Sequence, residues 1–127
     1  MNRNFCAESV RLGVVCFLSA LLLAACASTP KTGGPLQMRK LKAGTYEGVY
    51  RGGPNRAVVR VTIEDNRIVN IQIVEHWEMM GEKAEELTVR RIIEEQSTSV
   101  DAVSGATNSS LVIMNAVQRA VEKAYSD

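Results

Sequence analysis

The sequence predicts an α+β domain in which a small antiparallel sheet comes before two helices. Three observations lead to this prediction. Between residues 44 and 75, apolar side chains alternate with polar ones in three successive segments, as is typical of half-buried strands. Clusters of Gly, Pro, Asn and Asp separate these segments and favour the tight turns of a three-strand meander. From residue 82 onward the apolar spacing becomes helical, and strands followed by helices are typical of the α+β class.

Each predicted strand has its own pattern. The first is Thr45–Tyr50, which is rich in residues that favour strands. The second, 57–63, has an apolar residue at every second position, so one of its faces is expected to be buried. The third is Ile68–Glu75. Alternation places three of its apolar residues on one face: Val69, Ile71 and Ile73.

Two helices are predicted after the sheet. The first covers Glu82–Gln96, and the acidic residues in its first turns suit the positive end of the helix dipole. We expect its glutamates to form a solvated face: Glu82, Glu85, Glu86, Glu94 and Glu95. The second covers about Ser109–Tyr125. Its apolar residues form one stripe: Ile113, Val117, Ala120, Val121 and Ala124.

A targeting segment is predicted before the domain. Basic residues stand ahead of an apolar stretch at 12–25, which at ~1.5 Å per residue is too short to cross a ~30 Å hydrocarbon core. Its end, Leu23-Ala24-Ala25-Cys26, resembles the lipobox of bacterial lipoproteins. The resemblance implies a lipoprotein signal peptide at 1–25 and lipid attachment at Cys26. An ordinary signal that is cleaved nearby, with Cys26 left as a free thiol, is the alternative.

Composition excludes several classes of function. Residues 26–43 are predicted to be a flexible tether, because they contain Pro, Gly and basic residues and few apolar ones, and the domain is predicted at 44–127. Without residues 1–25, basic and acidic residues are equal in number, which argues against nucleic-acid binding. Two of the three cysteines leave with that segment, and the chain has one histidine, so no metal site is expected.

The loop between the two predicted helices is the candidate functional site. It is rich in hydroxyl groups, and Gly105 permits a backbone conformation that a side chain would resist. Unpaired N–H groups in the first turn of the following helix favour an anion such as phosphate, and Thr107 stands beside them. A second interpretation stays open from the residues alone. Ser, Thr and Asn are favoured helix caps, so the loop could do no more than start the helix.

The segment Asp101-Ala102-Val103-Ser104-Gly105-Ala106-Thr107 resembles the flavinylation motif of the FMN-binding domain family. Members occur in Rnf- and Nqr-type membrane redox complexes and in bacterial extracellular electron-transfer proteins. Three other segments match the family in order and spacing: Gly44–Gly48, Val59–Ile68 and Val74-Glu75-His76. The resemblance covers roughly residues 44–125.

The resemblance implies that FMN is the cofactor. A flavin transferase would attach it through a phosphoester to Thr107. The transferase would recognise the residues before that threonine: Asp101, Ser104, Gly105 and Ala106. The hydroxyls of Ser109 and Ser110 are expected near the phosphate.

The end of the third strand is a candidate for contact with the flavin ring. Trp77, with Met79 and Met80, is expected to cover one face of the isoalloxazine, and His76 to hydrogen-bond it. The alternative is structural: the apolar side chains close the core at the strand end, and His76 joins backbone groups there.

Two functions follow from these predictions. The first is a lipid-anchored, extracytoplasmic electron carrier that passes electrons between a membrane redox donor and an acceptor outside the membrane. No catalytic acid–base pair is identified, which favours an electron-transfer protein or subunit over a free-standing enzyme. The alternative is a non-redox envelope lipoprotein that binds FMN non-covalently, or another phosphorylated ligand.

Overall fold

The computed structural model describes residues 29, 33–36, 40–77 and 82–125. Three strands come before two helices, which confirms the predicted α+β class and the three-strand antiparallel sheet. The elements are β1 (Gly44–Gly52), β2 (Asn55–Glu64), β3 (Arg67–Trp77), α1 (Glu82–Glu95) and α2 (Thr107–Glu122). Helix α2 begins two residues before the predicted position, so that Thr107 is its first residue.

The sheet is a meander in the order β1–β2–β3 with tight connections. Gly53 and Pro54 join β1 to β2. Asp65 (φ 47°) and Asn66 (φ 63°) join β2 to β3, and both lie in the left-handed region that Asp and Asn tolerate better than most residues. The turn residues seen in the sequence therefore set the register of both hairpins.

The core lies between the sheet and α2. The alternating residues of β2 are fully buried on its inner face: Ala57, Val59, Val61 and Ile63. Helix α2 packs across β1 and β2, and α1 lies beside β3 and α2. The residues of the predicted apolar stripe that lie within α2 are all buried: Ile113, Val117, Ala120 and Val121.

The face predicted for Val69 is wrong. Val69 is 45% exposed, whereas its neighbour Ile68 is 1% exposed and belongs to the core. Thr62 pairs with Asn70 but Ile63 pairs with Ile68, so Val69 is an extra residue on β3. Such a bulge reverses the alternation of faces, which the sequence pattern cannot reveal.

Described residues before the sheet pack against the domain. Leu36 is 2% exposed, and its N–H donates to Gln96 O at 3.0 Å. Gly34 exchanges hydrogen bonds with Thr98, and the Lys42 N–H donates to Ala124 O at 2.7 Å. The domain boundaries at residues 25/26 and 43/44 stay predictions. The signal segment and Cys26 lie outside the described residues, and neither described helix has the length and apolar character needed to cross a membrane.

Helix α2 approaches β1 most closely at Gly48. A Cβ atom on Gly48 would overlap Ala116 O and lie 2.6 Å from Ala120 N. Both are backbone atoms of α2, so the helix as a whole would have to move to make room. The absence of a side chain at this position therefore sets the distance between helix and sheet.

We expect Gly48→Ala to lower the free energy of unfolding by about 2–3 kcal/mol, because the added methyl overpacks the contact between helix and sheet. Urea denaturation measures the change. Gly34→Ala is the matched control, since nothing lies within 4 Å of the Cβ position there. Equal unfolding free energies for the two variants would contradict the packing described.

Candidate functional site

Helix α2 starts without a side-chain cap. Ala106 occupies the N-cap position, and no side chain caps the helix there. The first N–H bond of the helix runs from Ser110 to Ala106 O at 3.0 Å. The backbone N–H groups of Thr107 and Asn108, two exposed residues, therefore come before the helical hydrogen-bond ladder and remain free to bind an anion. The interpretation in which a polar loop side chain serves as the N-cap does not match this geometry.

The turn into α2 places Thr107 at the surface. Gly105 has φ 82°, in the left-handed region that glycine adopts readily, and the space beside it is open. Ser104, Gly105 and Thr107 are exposed. The Thr107 hydroxyl has no hydrogen bond to any described residue. A reactive group from another molecule can therefore approach this oxygen directly.

The buried side chain of Ser110 fixes the loop by two hydrogen bonds. Its Oγ accepts a hydrogen bond from the Val103 N–H at 3.0 Å and donates one to Ala106 O at 2.9 Å. Val103 and Ala106 also pack with Ala84 of α1. The Ser110 hydroxyl is thus used inside the protein, and its predicted place beside a phosphate stays a prediction.

Asp101 is the first residue of the motif, and its backbone contacts α1. Its backbone oxygen accepts a hydrogen bond from Arg91 Nη1 of α1 at 2.6 Å. The residue itself is exposed, as is Ser104. The two polar residues predicted to be recognised by a transferase are therefore at the surface, on a segment fixed to α1.

His76 connects β3 to both helices. Its Nε2 lies 2.9 Å from Ser109 Oγ, and its Nδ1 lies 2.7 Å from Glu85 Oε1. The His76 side chain is 1% exposed, Ser109 is fully buried, and the Glu85 side chain is 33% exposed. Ser109 is therefore engaged inside the protein, and contacts of Ser109 or His76 with phosphate or flavin stay predictions.

The contact of Glu85 with His76 is not predicted from the sequence. The sequence predicts that Glu85 lies on a solvated helix face, but its carboxylate contacts the buried side chain of His76. An acid in the first turn of a helix is explained by the helix dipole alone, so the sequence carries no signal for this contact. Glu82 and Glu86 are exposed, as expected.

A second bulge on β3 determines which way His76 and Trp77 face. Val59 pairs with Ile73 but Val58 pairs with Glu75, so Val74 is the extra residue. Beyond the bulge, His76 stands opposite Ala57 on the inner face. Trp77 is 69% exposed, so it does not close the core. Its predicted contact with the flavin ring stays a prediction, and Met79 and Met80 lie outside the described residues.

The cleft between β3 and α1 is separate from the motif. It has a volume of about 370 Å³ and is lined by three aliphatic and three acidic residues: Ile71, Ile73, Val89, Glu82, Glu85 and Glu86. Three carboxylates disfavour a phosphate there. Among the described residues, no group of three or more His, Cys, Asp or Glu side chains is placed to hold a metal ion.

Fold and site together define a class of protein: a small α+β domain with an exposed hydroxyl at an uncapped helix start, suited to a phosphate-bearing group. The family model of the FMN-binding domain matches residues 52–122, more than half of the chain. The chain therefore belongs to the FMN-binding domain family, which confirms the predicted family and FMN as the cofactor.

One relative is an uncharacterized protein of Treponema pallidum (strain Nichols). It is 33% identical over 92 residues, an alignment that covers 66% of this chain and 24% of the relative. The chain thus spans about a quarter of that protein's length.

The start of α2 fits the phosphate of FMN. Two exposed backbone N–H groups are free, Thr107 is exposed, and a methyl group placed on Gly105 would touch nothing within 4 Å. A phosphate needs such donors and such space, since its charge must be compensated by hydrogen bonds.

We expect Ser110→Ala to lower the free energy of unfolding by about 1–3 kcal/mol, because the buried N–H of Val103 loses its acceptor. Chemical denaturation measures the change. Ser104→Ala, at an exposed position of the same loop, is expected to change the value by less than about 0.5 kcal/mol. A Ser110→Ala protein as stable as the Ser104→Ala protein would argue against the hydrogen bonds assigned to Ser110.

Proposed function

We propose that FMN is attached covalently to Thr107 Oγ1, and that the chain works as an electron carrier anchored by lipid outside the cytoplasm. One observation carries the proposal. Thr107 is an exposed threonine without a hydrogen-bond partner among the described residues, at an uncapped helix start. It lies inside a segment that resembles the flavinylation motif of the family to which the chain belongs. Thr107 therefore meets the two needs of a phosphoester acceptor: access to its oxygen and donors for the phosphate charge.

The attachment reaction is a phosphoryl transfer from FAD. Thr107 Oγ1 attacks the phosphorus on the FMN side of the phosphoanhydride, the new P–O bond replaces the anhydride bond, and AMP leaves. The hydroxyl proton passes to a base of the flavin transferase. The phosphodiester that results keeps one negative charge, which the free N–H groups of Thr107 and Asn108 stabilise.

The protein contributes placement, and bound FMN supplies one- and two-electron transfer. A covalent link suits a protein outside the cytoplasm, because a dissociated flavin would be lost by dilution. The partners required are a flavin transferase for maturation, a membrane redox donor and an acceptor outside the membrane. An electron-transfer protein or subunit, rather than a free-standing enzyme, is the class of function that results.

Lipid attachment at Cys26 would hold the domain close to the membrane. The side chain of Thr29 is buried and, with that of Val112, flanks Gly52. Cys26 stands three positions before Thr29, so its Cα can lie no more than about 11 Å from that of Thr29. Val112 lies in the first half of α2, so the anchor and Thr107 would be at the same end of the domain.

We expect the wild-type chain to show flavin fluorescence on a denaturing gel after coexpression with a flavin transferase. Thr107→Ala removes the acceptor oxygen and is expected to abolish the signal. Asn108→Ala changes the exposed neighbour but leaves the acceptor in place, so its band is expected to stay fluorescent.

Fluorescence that persists in Thr107→Ala would place the attachment elsewhere. A native wild-type protein that is yellow but loses its flavin on denaturation would favour the alternative function, non-covalent binding by an envelope lipoprotein.

We expect Cys26→Ala to prevent acylation and the cleavage that follows it, so the chain keeps residues 1–25. Intact-mass measurement of protein purified from a bacterial host distinguishes this product from the acylated chain that starts at Cys26. Cys6→Ala is the control, because that cysteine lies inside the predicted signal and its loss should leave processing intact. An unacylated wild-type chain would contradict the proposed anchor.

A further inference from the structure

We propose that the hydrogen-bonded series Ser109–His76–Glu85 is a positioning device for Thr107. In this proposal His76 holds the first turn of α2 against β3, so that the Thr107 hydroxyl and the free N–H groups keep one arrangement for the transferase. The inference rests on the covalent attachment proposed above.

The first turn of α2 needs an anchor because the helix lacks the usual one. A missing side-chain cap costs a helix about 1 kcal/mol and leaves its first turn prone to fray. Here Ala106 supplies no cap, and Thr107 is the first helical residue. The Ser109 hydroxyl, two residues further on, lies 2.9 Å from His76 Nε2. This contact ties the first turn of α2 to β3.

Glu85 sets the direction of the hydrogen bonds. A carboxylate only accepts hydrogen bonds, so His76 Nδ1 carries a proton and donates it to Glu85 Oε1 across 2.7 Å. In the neutral ring, Nε2 is then an acceptor, and the Ser109 O–H donates to it. Glu85 thus keeps the ring in the form and orientation that hold Ser109.

The arrangement resembles the order of groups in a serine hydrolase, but burial argues against that chemistry. Ser109 has no exposed surface, and the His76 side chain is 1% exposed, so no substrate can reach the hydroxyl. The three residues therefore act on the placement of their neighbour Thr107, which is exposed.

The bulge at Val74 supports the proposal independently. Without the extra residue, simple alternation from Ile73 would turn His76 to the outer face of the sheet. A bulge interrupts the regular hydrogen bonding between two strands, and bulges next to functional sites commonly redirect a side chain. Here the redirected side chain is the histidine that reaches the start of α2.

Two substitutions of His76 separate its hydrogen bond to Ser109 from its hydrogen bond to Glu85. The amide of glutamine can occupy the place of Nε2, so His76→Gln is expected to keep the bond to Ser109. The shorter asparagine places its amide near Nδ1, so His76→Asn is expected to keep only the bond to Glu85. The proposal requires the glutamine variant to behave like the wild type and the asparagine variant to lose positioning.

The first measurement is FMN transfer by purified transferase with FAD, with the unmodified domain as the varied acceptor. If the competent arrangement of the first turn becomes tenfold rarer, the apparent affinity for the acceptor falls by the same factor. We expect KM for the His76→Asn acceptor to rise about tenfold, with kcat within about twofold of wild type. His76→Gln is expected to stay within about threefold in KM.

The second measurement needs no flavin. Amide hydrogen exchange in the unmodified domain is expected to speed up by about tenfold at residues 110–113, the first hydrogen-bonded amides of α2, in His76→Asn, and to change little there in His76→Gln. Amides of β2 are expected to keep their protection in both variants. This readout tests the positioning even if the wild type accepts no flavin, so its failure is distinct from failure of the proposed function.

Gln96→Leu is the control for general loss of stability. The Gln96 side chain bonds the backbone of Ile68 and Ile93, away from the start of α2. Its loss is expected to lower the unfolding free energy without raising KM. The proposal is overturned if Gln96→Leu raises KM as much as His76→Asn does, or if the two His76 variants are equal in both KM and exchange.

Discussion

The packing of α2 against the inner face of β1 and β2 is the contact on which the rest of the structure depends. It closes the core, because each large apolar side chain buried there contributes about 1.5–3 kcal/mol, and it also carries the functional site. Gly48 lets the two backbones come together, and the fully buried Val117 and Ala120 fill the contact. Since Thr107 is the first residue of the same helix, the core fixes where the Thr107 hydroxyl oxygen stands.

The start of α2 combines fixed surroundings with an open surface. Ser110 holds the loop from inside, and His76 ties Ser109 to β3, while Thr107 and Gly105 face outward. A cap from the loop would have stabilised the helix but would have consumed an N–H group that a phosphate can use. The helix is stabilised instead through contacts on its buried side. Because the stabilising contacts are on the buried side and the free groups are on the exposed side, the uncapped start of α2 can be both ordered and available to FMN, the cofactor of the family.

Much of the fold could be predicted from the sequence, because alternation, turn residues and helical spacing are local properties. The proposed attachment site at Thr107 also comes from the sequence, since the motif that contains it is contiguous. The bulges at Val69 and Val74 could not be predicted, because one extra residue reverses the faces without altering composition. For the same reason, the inward direction of His76 and its contact with Glu85 become visible only once the register of β3 is known.

Covalent attachment of FMN at Thr107 is the central claim, and peptide mass mapping of the mature protein tests it most directly. Trypsin is expected to release the segment from Ile92 to Arg119, which contains Thr107. The account predicts that this peptide carries the mass of one FMN less one water, and that its fragment ions assign the addition to Thr107. An unmodified peptide from a protein matured in the presence of a flavin transferase, or an addition on a different residue, would contradict it.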